Sequence, residues 1–281
     1  MSLNLPRCIG VIHLPPLPGA PGTGGTEPAI SLQKAGLIAV REALALKKAG
    51  FDGIILENFG DAPFFPTQVP TETVVAFSVI AAAVREAVSL PLGINVLRND
   101  ARSALAIAAV TGADFIRVNV LSGVMATDQG IIEGKAYELL RERDRLNARH
   151  VAILADVHVK HAKSLSSDSL MLGIEETSGR GGADAVIITG STTGRAPARE
   201  DLLEATRAAA KCGVPLYVGS GIDPETMKSL PERTIRMIVG STLRRGGKAG
   251  APLDAKRIRS FIDSYRKWKK AGNGKSRKSS S

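Results

Sequence analysis

Short apolar runs alternate with amphipathic stretches along the whole chain. Eight runs read as strands: CIGVIHL (8–14), GIILEN (53–58), LGINVL (92–97), FIRVNV (115–120), VAILADVHV (151–159), DAVIIT (184–189), PLYVGS (215–220) and IRMIVGS (235–241). The stretches between them carry helical periodicity, as in SLQKAGLIAVREALALKKAG (31–50), TETVVAFSVIAAAVREAVS (71–89), DARSALAIAAVTGA (100–113) and REDLLEATRAAAKCG (199–213). DPETMKSL (223–230) and DAKRIRSFIDSYRKW (254–268) supply the last two helices. Several open on an Asp, Ser or Thr cap and close near a glycine. Eight strands, each followed by a helix, predict a parallel sheet closed as a (β/α)8 TIM barrel, an α/β fold. An open doubly wound sheet is the alternative. The count of eight and the lack of a GxGxxG turn after the first strand weigh against it.

Loop lengths carry a second signal. Three connections from strand to helix are long: PPLPGAPGTGGTEP (15–28), NFGDAPFFPTQVP (58–70) and LSGVMATDQGIIEG (121–134). All leave the carboxyl ends of strands, the face on which barrels keep their active sites. Long loops in a compact domain serve as lids or binding segments. Leu17, Phe64 and Phe65 lie on the first two and are candidate contacts for a ligand or a partner.

Composition changes this picture little. The chain has 281 residues, 44% hydrophobic and 23% charged, which fits one large barrel domain over residues 1–270. No apolar run has the roughly 18–20 residues of a membrane span. No secretory leader pattern is present, and two distant cysteines, Cys8 and Cys212, fit a reducing compartment, so the cytoplasm is expected. The net charge of +10 is concentrated at the end, where residues 266–281 hold seven Lys or Arg and no acid. Residues 271–281 read as a basic disordered tail, and nucleic acid is not an expected partner of the near-neutral barrel. Trp268 either closes the last helix against the core or meets an interface.

Chemistry gathers at the strand ends. In ADVHVKHAKS (155–164) the residues Asp156, His158 and Lys160 alternate, so with Leu154 they share one strand face and point into the barrel. The other face, Ile153, Ala155, Val157 and Val159, suits packing under helices. His13 closes the first strand, Glu57 and Asn58 the second, Asn95 and Arg98 the third, Arg117 and Asn119 the fourth. A convergence of Asp156, His158, Lys160, Glu57, Asn95, Asn119 and His13 at one mouth is what acid–base chemistry or ligand orientation requires. Arg117 paired with Asp156 or Glu57, and asparagines bonded to strand edges, is the purely structural alternative. His13, Glu57, Asp156 and His158 also have ligand atoms suited to a divalent metal, which the sequence permits without requiring. No cofactor is identified.

The second half carries glycine-rich turns at the ends of strands six, seven and eight: TGSTTGRA (189–196), VGSGIDPE (218–225) and VGSTLRRGG (239–247). Such turns bring backbone N–H groups close to an anion, and barrels commonly hold phosphate on the last two loops. The expected cradle is Gly219, Ser220, Gly221, Gly240 and Ser241, flanked by Gly190, Thr192, Thr193 and Gly194, with Arg244 as a neutralising charge.

GVIHLPPLPGAPG, GFDGIILENFGDAPF, GINVLRNDA, FIRVNV, TDQGIIEGKA, ADVHVKHA and VGSGI, in that order, resemble the BtpA family from about residue 9 to about 245. The resemblance implies a TIM barrel of the ribulose-phosphate-binding type. The family's cyanobacterial namesake is a factor for accumulation of photosystem I, and an enterobacterial relative is encoded beside sugar-metabolism genes. Two functions follow as expectations. One is an isomerase, lyase or hydrolase acting on a phosphorylated small molecule, a sugar phosphate or nucleotide. There, Asp156 or His158 is the acid–base group and Lys160 a stabiliser or amine nucleophile. The other is a non-catalytic assembly factor, with peripheral membrane or photosystem association only in a photosynthetic host. A homo-oligomer is compatible with either.

Overall fold

The strands form where apolar residues occupy both the inward and the outward positions of a short run. In the computed structural model they are β1 (Cys8–His13), β2 (Gly53–Glu57), β3 (Leu92–Asn95), β4 (Phe115–Val118), β5 (Val124–Thr127), β6 (Gly130–Glu133), β7 (Ala152–Val157), β8 (Ala162–Ser164), β9 (Ala185–Ile188), β10 (Leu216–Val218) and β11 (Ile235–Val239). Residues 5–21, 30–157, 162–165, 169–190, 196–230 and 235–275 are described. Eight of the strands close a parallel barrel in the order β1-β2-β3-β4-β7-β9-β10-β11, with β11 paired back to β1. These eight are the eight runs read as strands from the sequence, and the TIM barrel is observed.

Two apolar layers follow from the period of two. Ile9, Ile55, Phe115, Leu154, Ile187, Tyr217 and Ile238 fill the barrel. Their sequence neighbours, such as Ile54, Ile94, Ile116, Ile153 and Val186, pack outward with Ala39, Leu46, Phe77 and Ile80 of the helices. Burying this apolar surface is the main stabilising term. Gly93 is required inside because Phe115 fills its space: a Cβ there would lie 2.1 Å from Phe115 Cε2. Towards the N-terminal end the Tyr217 hydroxyl donates to the Pro6 carbonyl at 2.6 Å.

The helices are α1 (Leu32–Ala49), α2 (Thr71–Ala87), α3 (Ala101–Thr111), α4 (Ala136–Arg145), α5 (Leu170–Ser178), α6 (Arg199–Cys212) and α7 (Ala255–Lys275). Ser31 caps α1 by accepting from Lys34 N, and Asp100 caps α3 by accepting from Ser103 N. Asp100 also accepts from Val69 N, tying the second long loop to the start of α3. Trp268 is buried on α7, and its indole donates to Leu230 O at 3.2 Å, so it closes the last helix on the core.

Three expectations change. DPETMKSL forms one 3-10 turn, Thr226–Ser229, because Asp223 accepts from the backbone N–H of Glu225 and Thr226 and Pro231 follows at once. The α7 helix continues to Lys275, five residues beyond the 270 boundary expected for the domain. The remaining tail residues, 276–281, lie outside the described ones. The loop 121–134 is no simple loop: it folds into a hairpin, β5 against β6, and β8 adds a third antiparallel strand. Its VMAT and GIIE halves meet at a turn in which the Thr127 hydroxyl donates to Gly130 O and Gly130 takes φ 98°. Among the described residues no helix is long and apolar enough to cross a membrane.

Candidate functional site

Register brings the polar strand ends together. His13 lies opposite Glu57 across β1 and β2, and Glu57 opposite Asn95 across β2 and β3. Arg117 on β4 points to the same place. Its guanidinium donates from Nε and Nη2 to Asp156 at 3.1 and 3.0 Å, and from Nη1 to Glu57 Oε1 at 3.2 Å. Asn119 Nδ2 donates to Asp156 Oδ2 at 2.7 Å, and Asn95 Nδ2 to Glu57 Oε1 at 3.1 Å. Burial by itself would lower the Arg117 pKa, but Asp156 and Glu57 hold it above the usual arginine value. One buried cation thus organises two carboxylates and, through them, two carboxamides.

A cavity of about 260 Å³ opens above this network. His13, Glu57, Asn95, Arg98, Arg117 and Asn119 line one side, and Gly219, Ser220, Gly221, Gly240 and Ser241 another. Gly219 is needed there: a Cβ would stand 2.7 Å from Ile187 Cγ2 and 3.3 Å from Arg117 Nη2. Gly221 turns the chain at φ 70°, in the left-handed region that favours glycine. Apolar contacts come from Phe59, Phe64, Leu97 and Ile222. The tip of the β5–β6 hairpin, Asp128 and Gln129, reaches the same cavity. Arg98 is buried beside it, and burial lowers its pKa against the opposing pull of Asp156, Asp128 and Glu57.

The tautomer of His13 is set by its neighbours. Gly250 N–H donates to His13 Nδ1 at 3.1 Å, which requires a lone pair on that atom and places the ring proton on Nε2. Nε2 lies 3.9 Å from Glu57 Oε2, and the Phe59 ring is 4.4 Å from the imidazole, centroid to centroid. Glu57 Oε1 takes the bonds from Arg117 and Asn95, so Oε2 is the oxygen turned to His13.

Five residues read from sequence as catalytic meet here: His13, Glu57, Asn95, Asn119 and Asp156. Asp156 differs from the rest. It does not line the cavity, and its carboxylate accepts three bonds from Arg117 and Asn119, so the structural alternative of a buried ion pair is what is observed. His158 and Lys160 lie outside the described residues, as do Thr192, Thr193 and Gly194. Gly190 does not line the cavity, and its N–H donates to Ser220 Oγ at 3.1 Å, so it is not offered to an anion. Arg244 is corrected more firmly. It is 1% exposed and bonded to Glu42 at 2.9 and 3.2 Å, to Val11 O and to Ala251 O, a structural brace far from free. Leu17 is wholly buried, Phe64 lines the cavity and Phe65 is exposed. Among the described residues no three His, Cys, Asp or Glu side chains are placed to hold a metal ion. Asp128 and Gln129 were not singled out from sequence. Their signal is the D-Q-G turn between two β-alternating segments.

The BtpA family model matches residues 6–267. Photosystem I biogenesis protein BtpA of Synechocystis is 47% identical over 95% of this chain and 91% of its own. An uncharacterised protein of Pyrococcus horikoshii is 49% identical over 88% of this chain and 91% of its own. Among solved structures, phosphoribosyl anthranilate isomerase from Thermus thermophilus superposes with a TM-score of 0.52 at 12% identity, covering 92% of this chain and 98% of that one. A 3-hexulose-6-phosphate synthase gives 0.51 at 16% identity, covering 93% and 99%. Likeness at such low identity speaks to the fold alone.

Proposed function

The chain belongs to the BtpA family, and on that premise we propose that it binds and converts a phosphorylated small metabolite, a sugar phosphate or nucleotide, at the C-terminal mouth of its barrel. The observation that carries this reading is one cavity bounded by two dissimilar walls. Gly219–Gly221 and Gly240–Ser241 present close-approach backbone at the two strands where barrels bind phosphate, and the Glu57–Arg117 network faces them. In this reading the turns hold the phosphate through backbone N–H groups other than that of Gly219, which donates to Ile188 O at 2.9 Å.

The chemistry falls to Glu57 and His13. Glu57 is the general base: Arg117 and Asn95 fix Oε1, and Oε2 lies 3.9 Å from His13 Nε2. His13, held as the Nε2–H tautomer, donates to an oxygen on which charge develops. Proton transfer at a carbon beside a carbonyl fits both roles and is shared by isomerases and lyases. Asp156 serves as the partner that positions Arg117 and Asn119. Proteins named for phosphorylated substrates share the fold, but the site and not the fold supports the assignment.

A non-catalytic assembly role is the second reading, favoured by the name of the Synechocystis relative. A thermal-shift screen against phosphate, sugar phosphates and nucleotides separates the two. A ligand present at about 100 times its Kd is expected to stabilise the protein by about 2.7 kcal/mol. Absence of stabilisation by every phosphorylated compound would favour the assembly role.

A further inference from the structure

We infer that the ligand, away from its phosphate, is a short polyhydroxylated chain; this rests on the phosphate reading above and narrows it. The carboxamides of Asn95 and Asn119 are 1% and 2% exposed, and both residues line the cavity. Each donates its Nδ2 to a carboxylate, Asn95 to Glu57 and Asn119 to Asp156. Carboxylates accept only, so an amide oxygen turned towards one would be repelled, and the orientation of both amides is fixed. Each Oδ1 is therefore directed elsewhere, and each is buried with no hydrogen-bond partner among the described residues. Gln129 at the hairpin tip repeats the arrangement. Its Nε2 donates to Asp128 at 2.6 Å, and its Oε1 is buried without a partner.

A buried acceptor left unmet is costly, and folded proteins leave few of them. Here three belong to side chains from β3, from the end of β4 and from the β5–β6 turn that border one cavity. The carboxylates of Glu57 and Asp128 stand on the same walls. This side of the cavity is rich in acceptors, and a ligand satisfies acceptors with hydrogens. A row of hydroxyls does so and also accepts from a neighbour such as Arg98. Sites for drug-sized ligands run from about 300 to 1,000 Å³. The 260 Å³ here, just below that range, suits a phosphorylated chain of a few carbons.

Calorimetry on the full chain tests this with a panel of pentose and hexose phosphates, the free sugars, pentyl phosphate (similar length, no hydroxyls) and adenosine monophosphate. A sugar phosphate is expected to bind about 100-fold more tightly than pentyl phosphate. Gln129→Leu, at a hairpin tip outside the barrel core, is expected to weaken that sugar phosphate by about tenfold and leave pentyl phosphate unchanged. Pentyl phosphate binding as well as every sugar phosphate, or adenosine monophosphate binding better than all of them, would overturn the inference while leaving phosphate recognition intact. A free sugar binding as tightly as its phosphate would remove the phosphate reading and leave hydroxyl recognition standing. Binding by none of the probes overturns both.

Discussion

Replacing Arg117 with methionine is expected to destabilise the fold by about 3–5 kcal/mol, the cost of leaving buried charges without their partner. Arg117, Glu57 and Asp156 have side chains only 3%, 8% and 0% exposed, so water cannot take over from the guanidinium. Methionine fills the volume of the arginine stem, which separates lost charge from a lost side chain. Denaturant unfolding of both proteins measures the difference. A control follows from the same physics. Converting the whole triad to apolar residues, R117M with E57L and D156L, is expected to recover only part of the loss: no carboxylate is stranded, but the buried amides of Asn95 and Asn119 lose their acceptors. A single R117M variant within about 1 kcal/mol of the parent would show that the carboxylates find other partners and that the network is not the hub of the mouth.

Glu57→Gln is expected to do the opposite: keep the fold and stop the chemistry. The glutamine carbonyl can still accept from Arg117 and Asn95, as Oε1 does now. What it cannot do is take a proton. Turnover of the ligand found by the screen is expected to fall by about 10²–10⁴, the usual contribution of a general base. Affinity for that ligand, measured by calorimetry, should stay within about tenfold, since only a facing group and not the cradle has changed. Unchanged turnover would assign the base elsewhere. A loss confined to affinity would make Glu57 a binding group.

The barrel was legible because its signals are local. Each strand run and each cap at Ser31, Asp100 or Gly50 is written in a few adjacent residues, and eight repeats of the pattern leave little choice of topology. The mouth was legible in composition, since polar residues at strand ends alternate with apolar ones and must face inward. What was not legible is which of those residues bond to one another. Arg117 reaches Glu57 across 60 positions and Asp156 across 39, and Arg244 reaches Glu42 across 202. Only closure of the barrel decides that Asp156 is consumed by an ion pair while Glu57 borders the cavity, and that Arg244 braces α1 instead of meeting an anion. The hairpin was hidden for a different reason. Its strands are four residues each, and their partner β8 lies beyond an intervening helix and strand, so a glycine-bearing polar segment read as a loop.

The measurement that bears most directly on the central claim is a calorimetric titration of one sugar phosphate and its free sugar into the wild-type protein and into Gly221→Ala. Alanine at φ 70° is strained by about 1 kcal/mol, a burden that a fold of ordinary stability carries. Phosphate held by the glycine turns predicts that the wild type prefers the phosphorylated sugar by about 100-fold or more, and that Gly221→Ala, still folded by circular dichroism, loses most of that preference. Equal affinity for the two sugars, or a preference that Gly221→Ala leaves untouched, would contradict a phosphate site at this rim.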